Sequence, residues 1–170
     1  MTDNTPDDGT AFDRLREVSH MILDAVPHAR VLGLSLETLE PGRVVLRVPY
    51  NPKFIGDPET GVIHGGVVTT LLDNASAVAV TSAMENYTST ATLDLRIDYM
   101  RPGEPGVDIF GEAICYKMTR SIGFVRATAY HETPDDPIAT AQASFMLDSN
   151  AGRRAGANLQ PKSSAKGGAS

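Results

Sequence analysis

The chain has 170 residues, 41% of them hydrophobic and 21% charged, with a formal net charge of −6 at pH 7, the profile of a single globular domain. An acidic balance with no basic stripe argues against a nucleic-acid groove. One cysteine, Cys115, excludes an intrachain disulfide, and residues 1–10 are polar and acidic without an apolar leader, so a cytoplasmic protein is expected.

Residues 1–10 are expected to be disordered. From there Phe12, Leu15, Val18, Ile22, Leu23 and Val26 recur at helical spacing and predict a short amphipathic helix that stops near Pro27. Residues 33–39 and 44–49 then flank Glu40-Pro41-Gly42-Arg43, which holds proline and glycine where a hairpin turn wants them. Residues 51–61, rich in proline and glycine, read as a loop.

The next segment, beginning Gly61-Val62-Ile63-His64-Gly65-Gly66, is the most informative in the chain. Residues 65–84 predict one long helix, apolar or small on every side, with Asp73 as its single charge; such a helix is a buried one. A membrane span is disfavoured, because Asp73 near the centre is costly there and Thr69, Thr70, Asn74, Ser76, Thr81 and Ser82 dilute the rest. A plain core helix would pair its aspartate with a neighbouring hydroxyl or amide. The third reading is catalytic. At about 100° per residue, Gly66, Asp73 and Val80 share a face edged by Thr69, Thr70, Ser76 and Ala77, small and polar enough for a substrate. The glycine pair would present bare N–H groups at the positive end of the helix dipole, and a tight strand-to-helix junction is the bland explanation for the same pair.

After the helix the period changes. Over residues 92–100, Leu93, Leu95, Ile97 and Tyr99 alternate with Thr92, Asp94, Arg96, Asp98 and Met100, a half-buried strand. Arg101-Pro102-Gly103-Glu104-Pro105-Gly106 breaks it, and residues 107–117, 122–131 and 138–147 follow as strands. Cys115 inside one of them reads as a small buried hydrophobe. Short turns make the sheet antiparallel, and a long apolar helix needs a wide cover. The expected architecture is therefore α+β, a long central helix wrapped by a curved antiparallel sheet, with domain limits 11–148. One side of the helix is left for a second subunit, so a homodimer at least is expected. Residues 149–170, basic through Arg153, Arg154, Lys162 and Lys166, are expected to be a disordered tail.

Over residues 32–147 the chain resembles the hotdog-fold acyl-CoA thioesterases, in the branch related to the phenylacetate-pathway thioesterase. The likeness rests on His64-Gly65-Gly66 with Asp73 nine residues past the histidine, and on Leu93-Asp94-Leu95-Arg96-Ile97-Asp98-Tyr99-Met100-Arg101-Pro102. It implies a homodimer that can pair into a homotetramer, an acyl-CoA substrate, and a carboxylate at Asp73 that activates water or attacks the thioester. It further implies that the amide of Gly65 holds the carbonyl oxygen, that the partner subunit completes the site, and that Thr92 stands near the attacking water. The chain departs from the pattern at Pro58, where several relatives carry an asparagine or glutamine. Glu59, Asn51 or Asn74 would have to replace it.

The mechanism expected is hydrolysis without metal or cofactor. Desolvation would move Asp73 toward general-base strength, and Gly65 would stabilise the oxyanion. Base and nucleophile stay open as roles for Asp73. His64 is assigned loop-fixing by hydrogen bonding, Gly66 a place beside the substrate, and Arg101, Lys117 and Arg120, with Ser121, contacts to coenzyme A phosphates. His20, His28, His64 and His131 show no ligand spacing, and no phosphate loop or dinucleotide motif is present. Two further readings stand beside this one, a non-catalytic acyl-CoA binding module and a purely structural dimerisation domain.

Overall fold

The computed structural model describes Leu23, residues 25–84 and residues 89–148. The expected disordered ends and most of the helix predicted over residues 12–26 lie outside the described residues. Pro27, expected to stop a helix, starts one. Helix α1 (Pro27–Leu32) carries it in its first turn, where a missing N–H leaves no bond unmade, and closes on Gly33 at φ 67, the left-handed cap that glycine adopts without strain.

Strands β1 (Ser35–Glu40) and β2 (Arg43–Val48) form the predicted hairpin, with Gly42 at φ 77 in its turn. The segment read as a loop carries more structure than expected: a 3-10 turn (Pro52–Phe54), then a ribbon of β3 (Ile55–Asp57) and β4 (Val62–Ile63). Strands of three and two residues are too short to show a period in sequence. The central helix α2 runs Gly65–Ser82. It is followed by β5 (Ser89–Tyr99), β6 (Ile109–Met118), β7 (Ile122–Tyr130) and β8 (Ala139–Asp148).

Six strands make one antiparallel sheet in the order β1-β2-β6-β7-β8-β5, and α2 packs against its inner face. This is the expected α+β hotdog arrangement. The inner face is built of small residues opposite larger ones on the helix. Ala113, Ala127, Ala129, Ala139, Ala141 and Ala143 are buried there, facing a helix side of Val67, Val68, Leu71, Leu72, Val78 and Val80. At Gly111 a methyl group would stand 2.8 Å from the Leu71 side chain, and at Gly123 one would stand 2.8 Å from Val80. Both glycines therefore admit a branched side chain of the helix into the sheet surface, and Phe145 fills the largest remaining space.

The helix is not covered all round. Val67, Val68, Leu71, Leu72, Ala75, Ser76 and Val78–Ser82 are buried, whereas Gly65, Thr69, Thr70, Asp73, Asn74 and Ala77 are partly exposed and Gly66 is exposed. The open stripe matches the predicted polar face except at two positions. Val80 and Ser76, predicted on it, are fully buried, and over Val80 the cover is β7, which closes on the last turns of the helix at Gly123. Strand β5, 11 residues long, is one edge of the sheet beside this stripe, and it exposes Leu93 and Tyr99.

Candidate active site

His64 is the N-cap of α2, and its Nδ1 accepts the Gly66 N–H at 2.9 Å while its own N–H donates to the Phe54 carbonyl at 2.8 Å. An Nδ1 that accepts leaves the ring proton on Nε2. Gly66 must be glycine for the imidazole to fold over it, since a methyl there would come within 2.9 Å of Nδ1. The glycine pair therefore does not present two bare amides, because the cap occupies that of Gly66. The Gly65 N–H is the first of the helix and has no intrahelical acceptor.

Gly65 is held from the other side by Tyr99. The phenol donates to the Gly65 carbonyl at 2.7 Å and lies 3.1 Å from the Thr69 hydroxyl, which itself donates to the same carbonyl at 3.1 Å. A methyl at Gly65 would stand 3.1 Å from the Tyr99 oxygen, so this glycine too is required by a ring laid on the backbone. Tyr99 is the functional candidate that sequence reasoning passed over. Its alternation in β5 marked it as a core residue, although a phenol at an inward position signals a polar partner.

Two turns along the helix, Asp73 accepts the Thr92 hydroxyl at 2.9 Å through Oδ1. Thr92 comes from β5, so the edge strand touches the helix at both chemically informative points. Asp73 is only partly buried by its own chain, which corrects the expectation of a fully enclosed carboxylate: the stripe that carries it is the one the sheet leaves open. Eight residues at 1.5 Å rise place Asp73 about 12 Å along the axis from Gly65.

The other predicted residues are not gathered at one place. Arg101 forks Asp136, its Nε and Nη2 donating at 3.1 and 2.8 Å, so its charge is matched within the chain. Lys117, Arg120 and Ser121 are exposed around the β6–β7 turn. That turn lies toward the C-terminal end of α2, where Gly42 bonds both Ser82 and Cys115. Glu59 is exposed in the β3–β4 turn, where its N–H joins Asp57. The Asp57 carboxyl is held below its ordinary value by the Thr60 hydroxyl and the Glu59 amide. Of the other substitutes for the residue lost at Pro58, Asn51 caps Lys53 and Asn74 donates to the Thr70 carbonyl at 2.8 Å. Burial pushes the Cys115 thiol above its usual range, as suits a packed hydrophobe and not a nucleophile. Among the described residues no three His, Cys, Asp or Glu side chains are placed to share a metal ion, and no helix is long and apolar enough to cross a membrane.

A cavity of about 380 Å³ opens at the helix start, lined by Gly65, Tyr99, Val62, Ile63, Val68, Ile109 and Ile138, with Met100, Arg101, Pro102 and Gly103 along one wall. Neither Asp73 nor Thr92 lines it. The wall is fixed by the Arg101–Asp136 fork and by His131, which is buried, accepts the Glu104 N–H at Nε2 (2.7 Å) and donates to the Asp108 carbonyl from Nδ1 (2.8 Å).

The family model described as thioesterase superfamily matches residues 60–138. Human acyl-coenzyme A thioesterase 13 is 32% identical over 111 residues, 65% of this chain and 77% of the human protein. The medium/long-chain acyl-CoA thioesterase YigI of Escherichia coli K12 is 28% identical over 151 residues, 81% of this chain and 96% of that protein. A Pseudomonas aeruginosa protein of known crystal structure superposes with a TM-score of 0.73 at 41% identity, covering 79% of this chain and 99% of its own.

Proposed function

Because the chain belongs to the thioesterase superfamily, we propose that it hydrolyses acyl-coenzyme A thioesters, with Asp73 as catalytic carboxylate and the Gly65 amide as oxyanion donor, in a site shared by two copies. The observation that carries the proposal is Asp73 itself, the one charge on the open stripe of the helix, fixed at one oxygen by Thr92 with no hydrogen-bond partner for the other among the described residues.

The separation of Asp73 and Gly65 supports the second subunit. One thioester carbonyl must lie within hydrogen-bond reach of an amide and, through the attacking water, of a carboxylate. About 12 Å along one helix is too far for that. Two copies meeting through β5 with their central helices antiparallel would bring Gly65 of one chain to Asp73 of the other, and would cover the stripe each leaves open. A long edge strand that exposes Leu93 and Tyr99 is a surface that calls for such a partner. Ile114, Tyr116 and Met146, exposed on the outer sheet face, offer a contact for pairing dimers into a tetramer.

In the reaction, Asp73 takes a proton from water as its oxygen bonds to the thioester carbon, and the oxyanion rests on the Gly65 N–H. Collapse breaks the carbon–sulfur bond, and the thiolate of coenzyme A takes the proton back from Asp73, leaving the free acid. In the nucleophilic variant the Asp73 carboxylate attacks the thioester carbon and expels the coenzyme A thiolate, and water then opens the resulting anhydride, restoring Asp73 and the free acid while its proton goes to the thiolate. The apolar cavity beside Gly65 would hold the acyl group, and its volume, near the lower end of ligand pockets, suits a medium-length chain. The antiparallel arrangement also carries the β6–β7 turn of one chain toward the helix start of the other, so Lys117, Arg120 and Ser121 are the contacts proposed for the phosphates, with Glu59 and Gly66 at the margin. A single thiol and a coenzyme A substrate make the reducing cytoplasm the setting of this reading.

Release of coenzyme A from short, medium, long and aryl acyl-CoA by the wild type and by Asp73→Asn tests the proposal. It predicts turnover that falls by two or more orders of magnitude in the variant. Saturable binding with no turnover in either would favour the non-catalytic binding module, and no ligand-dependent rise in Tm would favour the structural one.

A further inference from the structure

We infer that Tyr99 is the positioning residue of the oxyanion-binding amide: its hydroxyl, donated to the Gly65 carbonyl, sets the direction in which the Gly65 N–H points. The inference rests on the reading of Gly65 as oxyanion donor. Gly65 joins two peptide planes at a carbon without a side chain, in the first residue of a helix: its N–H shares a plane with the His64 carbonyl, which accepts the Val67 N–H at 2.9 Å, while its own carbonyl lies in the next plane, and a glycine leaves the angle between the two free. An amide that must meet a developing charge cannot be left to rotate, since its value lies in being aimed before the reaction.

Three contacts remove that freedom. The His64 ring holds the N–H of the following peptide at 2.9 Å. Thr69, one turn along, holds the Gly65 carbonyl at 3.1 Å. Tyr99 holds the same carbonyl at 2.7 Å and lays its ring within van der Waals distance of the Gly65 backbone. The first two are local to the helix and would turn with it, so of the three only Tyr99 refers the position of Gly65 to the six-stranded sheet. It does so from β5, the strand that also supplies Thr92 to Asp73. One strand thus sets both halves of the proposed chemistry, the carboxylate near its start and the amide at its end.

A phenylalanine would keep the wall of the cavity and lose only the hydroxyl. The amide would then remain present but less well aimed, an error whose cost falls on the transition state more than on substrate binding.

The experiment is kcat and KM for one good acyl-CoA in the wild type, Tyr99→Phe, Thr69→Val and Asp73→Asn, with the affinity of Tyr99→Phe for a non-hydrolysable thioether analogue and its Tm. The inference expects kcat of Tyr99→Phe to fall on the order of tenfold or more, with KM, analogue affinity and Tm unchanged, and a smaller effect in Thr69→Val. Turnover abolished in Asp73→Asn but intact in Tyr99→Phe overturns the inference alone. A loss in Tyr99→Phe that appears in KM, analogue affinity or Tm also overturns it, since a packing role would suffice. A wild type without turnover on any acyl-CoA overturns the reading of the site, and this inference with it.

Discussion

The Thr92 hydroxyl donates to Oδ1 of Asp73 at 2.9 Å, tying the middle of the central helix to the edge strand of the sheet. The bond occupies one carboxylate oxygen, fixes the plane of the group and leaves Oδ2 for water. Thr92→Val removes it at nearly constant volume. Steady-state assays of this variant should show kcat lowered about tenfold by loss of orientation, well short of the loss expected in Asp73→Asn.

The His64 cap and the two glycines make a second test. Gly66→Ala places a methyl against Nδ1 and must displace the ring. It should cost about 1 kcal/mol, the usual price of losing a helix cap, read as a lowered Tm. Gly65→Ala instead meets the Tyr99 hydroxyl, and its effect should appear chiefly in kcat. Equal losses of stability in both variants would contradict the separate roles assigned to them.

Acyl length can be tested where the wall has room. At Gly103 a methyl would make ordinary contacts of 3.6 to 3.7 Å with His131, Ile109 and Ile138, so Gly103→Ala should fold and Gly103→Leu should reach into the cavity. If the acyl group occupies that space, the chain-length optimum shifts to shorter substrates in the order wild type, Ala, Leu. Activity on the shortest acyl-CoA should stay within about twofold, because the change lies away from the reacting atoms. An unmoved profile would place the acyl chain elsewhere.

Acid stability should depend on Asp108, whose carboxyl is held below its ordinary value first by the Tyr50 N–H at 2.7 Å and then by Arg47, against some desolvation. A folded value below the unfolded one gives stability that is present above about pH 4 and is lost as pH falls through the folded value. Asp108→Asn should therefore lower Tm at neutral pH, and the gap to the wild type should close in strong acid. A gap that stays constant with pH would exclude this linkage.

Much of this was legible in the sequence, for local reasons. Strand alternation and the His64-Gly65-Gly66 helix start are near-neighbour patterns, and the boundaries of β1, β2, the central helix and β5 to β8 fall within a few residues of those they predict. Family resemblance implied a place for Thr92 near the attacking water, and its bond to Asp73 was not legible, since no spacing rule joins residues from a helix and a distant strand. Tyr99 and Gly65 are 34 positions apart, and only the sheet order brings them together. The burial of Val80 was hidden for the same reason: helical periodicity puts Val80 and Asp73 on one face, and Gly123 of β7 decides that only one of them is covered.

The central claim is a site built from two copies, and mixing two defective variants tests it most directly. Asp73→Asn lacks the carboxylate, and Gly65→Pro lacks the amide hydrogen at a first helical position whose torsion suits proline, although its ring, like the methyl of Gly65→Ala, must shift the Tyr99 phenol. Each alone should be nearly inert. Co-expressed with different tags at equal dose, half of the dimers are mixed and each mixed dimer holds one intact site, so activity should return to about a quarter of the wild type. A mixture whose purified heterodimers are as inactive as the parents would contradict the shared site and return both residues to a single chain.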